Sequence, residues 1–301
     1  MHPRNPHQHG YDFAALTLVN AALQAFVRDN GYGRLSIDFA DPAAVLQLNK
    51  ALLAHHYGVQ HWQLPDGFLC PAVPGRADYL HHLADVLAAE AGKLVKGRKV
   101  QLLDIGAGAN LIYPLLAQAE YGWQVVAAEL DPDALAAAAQ LIEQNQLQNN
   151  ISLRQQTDAG QIFTGIIGPK DLFELTMCNP PFHATAQEAA AGTERKQRQL
   201  GLTGNGLNFA GRRHELVCEG GELAFIRQMI NESQLFASQV LWFSSLVSKA
   251  DNLPTLVKQL QQAGAEVKQI EMQQGQKSSR ILAWSWQNAK QRKLWCQYRL
   301  K

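Results

Sequence analysis

The chain has 301 residues, of which 47% are hydrophobic and 18% are charged, and its formal net charge at pH 7 is +1. This composition is typical of a folded globular protein and excludes a largely disordered one. The longest apolar runs are too short to span a membrane, and the first ten residues, MHPRNPHQHG, lack the apolar core of a signal peptide. We therefore expect a cytoplasmic protein that is not attached to a membrane.

The sequence shows no pattern typical of a metal site. The paired histidines at 55–56 and 81–82 have no cysteine or carboxylate at ligand spacing beside them, so we expect no bound metal. The four cysteines form no CxxC pair and are predicted to be free thiols: Cys70, Cys178, Cys218 and Cys296.

Residues 1–95 are predicted to form a helical module. Asp41 and Pro42 suit the N-cap and the first position of a helix. The segment PAVPGRADY, residues 71–79, contains two prolines and a glycine, so it is predicted to be an extended connector that carries Arg76. Apolar residues recur at helical spacing near the start of the chain: Phe13, Leu16, Val19, Leu23 and Phe26.

A strand, a glycine turn and a helix are predicted at residues 99–116, KVQLLDIGAGANLIYPLL. Asp104, Gly106 and Gly108 fall in the turn, where glycine lets a ligand approach the backbone closely. A second strand, QVVAAELD, places Glu129 about twenty residues past the glycines, where a carboxylate accepts hydrogen bonds from both ribose hydroxyls. Together these features indicate a nucleoside cofactor.

The missing third glycine indicates which nucleoside. Leu111 stands where a dinucleotide site has a glycine that lets the helix approach a pyrophosphate, and S-adenosylmethionine has no phosphate. Its carboxylate needs a cation, and because residues 104–112 contain no Lys or Arg, Arg76 is the candidate. Thr157, at the end of the next predicted strand, is a candidate contact for the adenine ring, and a capping or turn role for it stays open.

The apolar run DLFELTMC, residues 171–178, is predicted to be a buried parallel strand that ends in Asn179, Pro180, Pro181 and Phe182. Two prolines end the strand rigidly, at the sheet edge where ligands of α/β proteins bind. This tetrapeptide suits methylation of an amide-like nitrogen. The Asn179 oxygen and the Pro180 carbonyl can accept its two N–H groups, and Phe182 can stack on a base. A proline-terminated strand with a packed phenylalanine is the purely structural alternative.

Residues 183–214 form a long stretch rich in glycine, alanine and arginine, and loops of this length in compact domains are usually functional or disordered. We expect this basic insertion to contact RNA, with a solvated loop as the alternative. The last fifteen residues hold five Lys or Arg and no acid, which is most typical of a solvated end. The candidate RNA-binding residues of the insertion are Arg195, Lys196, Arg198, Arg212 and Arg213.

Six segments resemble the RlmF family of bacterial 23S rRNA adenine-N6-methyltransferases and the related eukaryotic spliceosomal snRNA adenine-N6-methyltransferase: GRLSIDFADPAAV, VPGRADY, DIGAGANLIYPLL, CNPPF, EGGELAFI and QGQKSSRILAWSW. The resemblance implies an α/β class I S-adenosylmethionine-dependent methyltransferase. Such a fold has a Rossmann-like, mostly parallel seven-stranded sheet, here in residues 96–301, and a helical N-terminal module in residues 1–95 that contributes to cofactor and RNA binding.

The resemblance also implies residue roles and a substrate. Family cofactor-site positions fall on Arg76, Gly106, Glu129, Thr157 and Asn179, and residues 179–182 match the catalytic tetrapeptide. The implied substrate is the N6 of one adenine in 23S rRNA, adenine 1618. Whether the partner is naked rRNA, a large-subunit assembly intermediate or a finished subunit stays open, as does the oligomeric state.

Two other kinds of function remain open from the sequence. One is methylation of protein glutamine or DNA adenine, because Asn-Pro-Pro-aromatic tetrapeptides serve all three nitrogens. The other is a non-catalytic RNA-binding factor of ribosome assembly. The presence of the candidate cofactor and catalytic residues argues against a non-catalytic factor. These residues are Gly106, Gly108, Glu129 and Asn179.

Overall fold

The structure is a computed structural model that describes residues 1–185, 187–188, 216–274 and 277–301. The five cations predicted to contact RNA, Arg195, Lys196, Arg198, Arg212 and Arg213, lie outside the described residues. Within these ranges, no helix has the length and apolar character needed to cross a membrane.

A seven-stranded sheet forms the centre of the fold, in the order β5-β4-β3-β6-β7-β9-β8. Strand β9 is antiparallel to its neighbours β7 and β8, and the other pairings are parallel. The predicted mostly parallel seven-stranded sheet is therefore confirmed. The strands are β1 (Arg28–Asp29) and β2 (Leu35–Ser36), which form a separate ribbon, β3 (Gln101–Ile105), β4 (Gln124–Glu129), β5 (Ile151–Gln155), β6 (Phe173–Cys178), β7 (Val240–Val247), β8 (Glu266–Gln274) and β9 (Lys277–Ser285).

Helices cover both faces of the sheet. Leu102 and Leu175 pack into one apolar core and Leu103 and Cys178 into a second, because successive strand residues point to opposite faces. This burial on both sides explains the continuous apolar runs of β6 and β7. The helices of the described ranges are α1 (Phe13–Val19), α2 (Pro42–Tyr57), α3 (Val73–Ala91), α4 (Ile112–Tyr121), α5 (Pro132–Gln144), α6 (Gly221–Ser233), α7 (Leu253–Gln262) and α8 (Ala289–Arg299).

The start of α2 confirms the prediction for Asp41 and Pro42. The Asp41 side chain accepts a hydrogen bond from the Ala43 amide at 2.8 Å, and Pro42 is the first helical residue. The predicted extended connector at 71–79 is wrong, because α3 begins at Val73 and Arg76 lies in its first turn. Pro74 is compatible with this turn because the first amides of a helix have no partner within it.

Helix α3 joins the N-terminal residues to the sheet. Its Leu80 and Leu83 belong to the same apolar core as Leu102 and Leu175. The Tyr79 hydroxyl lies 2.8 Å from the Ser244 hydroxyl, which donates to the Thr176 carbonyl at 2.5 Å. This buried hydrogen-bond chain ties α3 to the strand that leads into Asn179. Residues 1–95 therefore share a core with the sheet that follows them.

The last fifteen residues, expected to be a solvated end, include the helix α8 and are solvated on one side only, because Arg292, Cys296 and Leu300 are buried. Asn288 and Gln291 make a reciprocal capping box at its start. Arg292 pairs with Glu90 of α3 at 2.9 Å, and Arg299 pairs with the buried Glu174 of β6 at 2.9 Å. Trp295 also donates to Glu174, at 3.1 Å. Two cations of the basic end therefore pair with carboxylates of the fold, of which Glu174 is buried and Glu90 is partly buried.

Two buried histidines make stability depend on pH. Burial, followed by the charges of neighbouring histidines, lowers the pKa of His7 to about 3. Burial, followed by His2 and Arg4, lowers the pKa of His81 to about 4, although Asp78 and Asp85 oppose the shift. Both are therefore neutral in the folded state and protonate near their ordinary pKa in the unfolded chain. Their contribution to stability is complete above about pH 6.5 and is lost as the pH falls toward 4.

We expect the free energy of unfolding to fall between pH 7 and pH 5.5 by about 1.4 kcal/mol for each of these histidines, which urea titrations at the two pH values would measure. The His7→Gln/His81→Gln variant should lose most of this dependence. An equal pH dependence in that variant would assign the effect to other groups.

Candidate active site

A cavity of about 620 Å³ opens at the carboxyl ends of β3, β4 and β6. Its lining includes the glycine turn after β3, the end of β4 and the start of the Asn-Pro-Pro-Phe segment. This is the edge at which α/β proteins bind ligands, and the volume is in the range of small-molecule sites. The structure therefore brings together, at one cavity, sequence features that are up to about a hundred residues apart.

The glycine turn is shaped by positive φ angles. Gly106 has φ 70° and Gly108 has φ 64°, a conformation that favours glycine. A Cβ placed on Gly106 would meet no heavy atom within 4 Å, so the backbone faces open space there. The amides of Gly106 and Ala107 donate to the Ala128 carbonyl at 2.9 and 3.0 Å, which fixes the turn against β4.

Glu129 is a buried carboxylate on the cavity wall, and backbone amides hold it in place. Its Oε2 accepts from the Gly108 amide at 2.8 Å, and its Oε1 accepts from the amides of Leu130 at 2.7 Å and Asp131 at 3.0 Å. Each carboxylate oxygen has two acceptor positions, so further acceptor capacity remains for a ligand hydroxyl. The carboxylate also links the glycine turn to the end of β4.

Asp104, which was predicted to lie in the glycine turn, is instead a residue of β3, and it is not among the residues that line the cavity. The residue is 1% exposed, and neither carboxylate oxygen has a hydrogen-bond partner among the described residues. Burial and the charge of Glu129 raise the pKa of Asp104 well above its ordinary value, and Arg76 opposes this shift. Its predicted cofactor contact stays a prediction.

Arg76 reaches the cavity from the first turn of α3. Its Nη1 donates to the Tyr113 hydroxyl at 2.9 Å, and its guanidinium carbon lies 5.6 Å from the centre of the Tyr113 ring. Burial raises the pKa of Tyr113 to about 12, so this hydroxyl is neutral at physiological pH. No carboxylate of the described ranges forms an ion pair with Arg76. Its charge is therefore available to a ligand carboxylate.

Asn179 and Pro181 line the cavity, whereas Pro180 is buried and Phe182 is half-buried outside the lining. The Asn179 Oδ1 is buried and accepts no hydrogen bond from any group in the described part of the chain. A buried amide oxygen without a donor is costly, and a ligand N–H would remove that cost. Cys178 lies just before it, and burial raises the pKa of its thiol, so this sulfur stays protonated.

The opposite wall includes residues that the sequence did not single out. The Thr157 side chain is exposed and outside the lining, whereas its neighbour Gln156 lines the cavity. Ile162 and Gln228 also line it. The buried Glu232 of α6 accepts hydrogen bonds from the amides of residues 162–164 at 2.5 to 2.8 Å and so fixes this wall. No local sequence signal connects Glu232 with residues 70 positions earlier.

A family model described as RNA methyltransferase matches residues 1–288, which end just before α8. The ribosomal RNA large subunit methyltransferase F of Cronobacter sakazakii is 55% identical over 304 residues, covering 100% of this chain and 98% of that protein. The protein of the same name from Aeromonas salmonicida is 55% identical over 289 residues, covering 95% of this chain and 91% of its own.

Solved structures of human METTL16 share the fold. The catalytic domain in complex with the MAT2A 3′UTR hairpin 1 has a TM-score of 0.79 and 30% identity, with 96% of each chain covered. The N-terminal domain in complex with SAH has a TM-score of 0.76 and 28% identity, with 96% of this chain and 99% of that chain covered. The expected class I methyltransferase fold and the use of S-adenosylmethionine are confirmed. The family match over residues 1–288 and the full-length relatives establish that this chain belongs to the RlmF family of ribosomal RNA methyltransferases.

Proposed function

We propose that the protein transfers a methyl group from S-adenosylmethionine to the exocyclic N6 of one adenine in 23S rRNA, adenine 1618. The main support for this proposal is the Asn179 Oδ1 at the wall of the cavity. This oxygen is buried and accepts no hydrogen bond from any of the described residues. The two prolines that follow Asn179 have no N–H, so they place no competing donor beside the acceptors.

An adenine N6 is a poor nucleophile because its lone pair is delocalised into the ring. In the proposed mechanism the Asn179 oxygen and the Pro180 carbonyl accept its two N–H groups, which aligns the lone pair with the sulfonium methyl, and Phe182 stacks on the base. Formation of the N–C bond would break the S–CH3 bond and leave the thioether S-adenosylhomocysteine, and the acidic proton of the methylated nitrogen would pass to water. Catalysis then depends on the positioning of two bound reactants, and it needs no strong general base.

The proposed cofactor site uses the groups held around the glycine turn. The acceptor position that remains on Glu129 takes a ribose hydroxyl, Gly106 and Gly108 allow close approach, and Arg76 pairs with the methionine carboxylate. Arg76 thus makes the N-terminal module part of the cofactor site. Asp104 and Thr157 keep their proposed roles as further cofactor-site residues, although neither lines the cavity.

The basic insertion is proposed to hold RNA beside the target adenine. The His183 amide donates to the Leu216 carbonyl at 3.0 Å, and the Cys218 amide donates to the His183 carbonyl at 3.0 Å. Val217 and Cys218 line the cavity, so the chain enters and leaves the insertion at the cavity rim. Its five cations can then contact phosphates that flank an unstacked adenine: Arg195, Lys196, Arg198, Arg212 and Arg213.

A methylation assay with the purified protein and labelled S-adenosylmethionine tests this function. The substrates are 23S rRNA transcripts, large-subunit assembly intermediates and finished subunits, and the modified nucleoside is identified by mass spectrometry. The proposal expects N6-methyladenosine, and no product from a transcript with guanine in place of adenine 1618. Methyl on another nucleotide, on DNA or on a protein glutamine would refute it. Rejection of every substrate despite tight binding to rRNA would favour a non-catalytic assembly factor.

A further inference from the structure

A group of exposed cations lies on the edge of the sheet opposite the cavity. Four of them come from the segment between α3 and β3 and two from the first turns of α8. We call this group the amino-edge patch, because it lies at the amino ends of the parallel strands. Its members are Lys93, Lys96, Arg98, Lys99, Lys290 and Lys293.

Contacts at both ends of α8 bring the two segments together. Near its start, Arg292 pairs with Glu90, three residues before Lys93. At the other end, the Lys99 ammonium donates to the Lys301 carbonyl. Arg299 and Trp295 fix α8 to Glu174, near the amino end of β6. The patch therefore combines the segment before β3 with the start of α8, and ion pairs with Glu90 and Glu174 hold this helix in place.

The charge of the patch is largely uncompensated. None of its six cations forms an ion pair with an aspartate or glutamate side chain of the described ranges, although Lys96 lies close enough to Glu120 to influence the pKa of that carboxyl. Lys96 lies 5.7 Å from the centre of the Tyr121 ring, and Arg98 donates to the Asn149 carbonyl at 2.7 Å. The formal net charge of the whole chain is only +1. With six cations in the patch, the residues outside it carry a net negative charge.

The exposed side of α8 also carries apolar groups. Leu294 is 41% exposed and Tyr298 is 85% exposed, and with Lys290 they are spaced four residues apart on one helix face. The Tyr298 ring can pack on a ribose, and its hydroxyl can form a hydrogen bond with the ribose 2′-hydroxyl. A helix face that only contacts solvent would need no aromatic residue.

We propose that the amino-edge patch binds the phosphate backbone of a folded segment of the substrate rRNA that is distant from the methylated nucleotide. This inference rests on the proposed function in taking 23S rRNA as the substrate. Along β3, Lys99 and Gly106 are seven residues apart, which is roughly 23 Å at strand spacing. A short RNA strand bound in the cavity would not reach the patch, whereas a folded rRNA domain can contact both the cavity and the amino-edge patch. The patch would then favour structured rRNA over short RNAs that contain the same target sequence.

The test uses the full-length Lys290→Glu/Lys293→Glu variant and two substrates, a folded 23S rRNA domain and a short oligonucleotide with the target adenine and its nearest neighbours. Both lysines lie near the amino end of α8, where an acid favours the helix dipole, so the variant should fold. We expect kcat/KM on the domain to fall on the order of tenfold, with a log–log salt slope reduced by about 0.7–0.9 per lost phosphate contact. Activity on the oligonucleotide and affinity for S-adenosylmethionine should not change.

The exposed Lys258 of α7 supplies a charge-reversal control away from the patch, because Lys258→Glu makes half of the charge change of the double variant and should leave both substrates unaffected. Unchanged kcat/KM and salt dependence on the folded domain would overturn the inference. An equal loss on both substrates would also overturn it, because the patch would then act through the active site. Filter binding of the domain gives a readout that does not need methylation, so failure of the proposed function remains distinguishable.

Discussion

Asn179→Ala is expected to lower the rate of methyl transfer to rRNA by about 10²–10³-fold, which is the scale for losing one positioned hydrogen-bonding group at the reacting atom. The variant removes the buried Oδ1 that has no donor among the described residues. Affinity for S-adenosylmethionine should change little, because Glu129, Gly106 and Gly108 are unaltered. Single-turnover kinetics measure the transfer rate, and isothermal titration calorimetry measures the cofactor affinity.

The Asn179→Asp variant is the matched control for this position. It keeps an acceptor oxygen of nearly the same size, so it should retain more activity than Asn179→Ala. A normal single-turnover rate in Asn179→Ala would contradict the proposed role of the amide oxygen. A large loss of cofactor affinity in the same variant would instead indicate that Asn179 acts mainly in binding S-adenosylmethionine.

The second large effect is expected from Glu129→Ala, which should weaken S-adenosylmethionine binding by about 10- to 10²-fold. A hydrogen bond to the acceptor position that remains on the Glu129 carboxylate contributes about 1.5–3 kcal/mol, and the variant also releases the amides of Gly108, Leu130 and Asp131. Calorimetry measures the dissociation constant. Glu143→Ala, on the exposed side of α5, removes the same charge and should bind the cofactor normally.

Affinity for rRNA should be nearly the same in the Glu129→Ala and Glu143→Ala proteins, because neither residue belongs to the proposed RNA contacts. The thermal midpoint of the cofactor-free protein reports any damage to the glycine turn. An unchanged dissociation constant for S-adenosylmethionine in Glu129→Ala would mean that another group, with Asp131 the next candidate, binds the ribose.

The sequence predicted the sheet and much of the site because the relevant signals are local. Apolar runs mark strands buried on both faces, and Gly106 and Gly108 mark a turn with positive φ. Parallel strands end at one edge, so the ends of three strands were expected to meet there. The cavity accordingly includes Gly106, Gly108, Glu129 and Asn179.

The errors came from residues whose environment is set by distant partners. Pro74 is compatible with a connector or with a helix start, and packing of α3 against the sheet decides between them. A basic end is expected to be solvated throughout unless its pairing with Glu90 and with the buried Glu174, both distant in sequence, is known. Tyr113 contacts Arg76, and Glu232 contacts residues 162–164. No short sequence motif predicts either contact.

The most direct test of the central claim is mass spectrometry of 23S rRNA fragments from cells that lack the protein. We expect N6-methyladenosine at position 1618 to be absent from these cells, to return with the unaltered protein and not to return with Asn179→Ala. Persistence of that modification in cells without the protein, or its full restoration by Asn179→Ala, would contradict the proposed function.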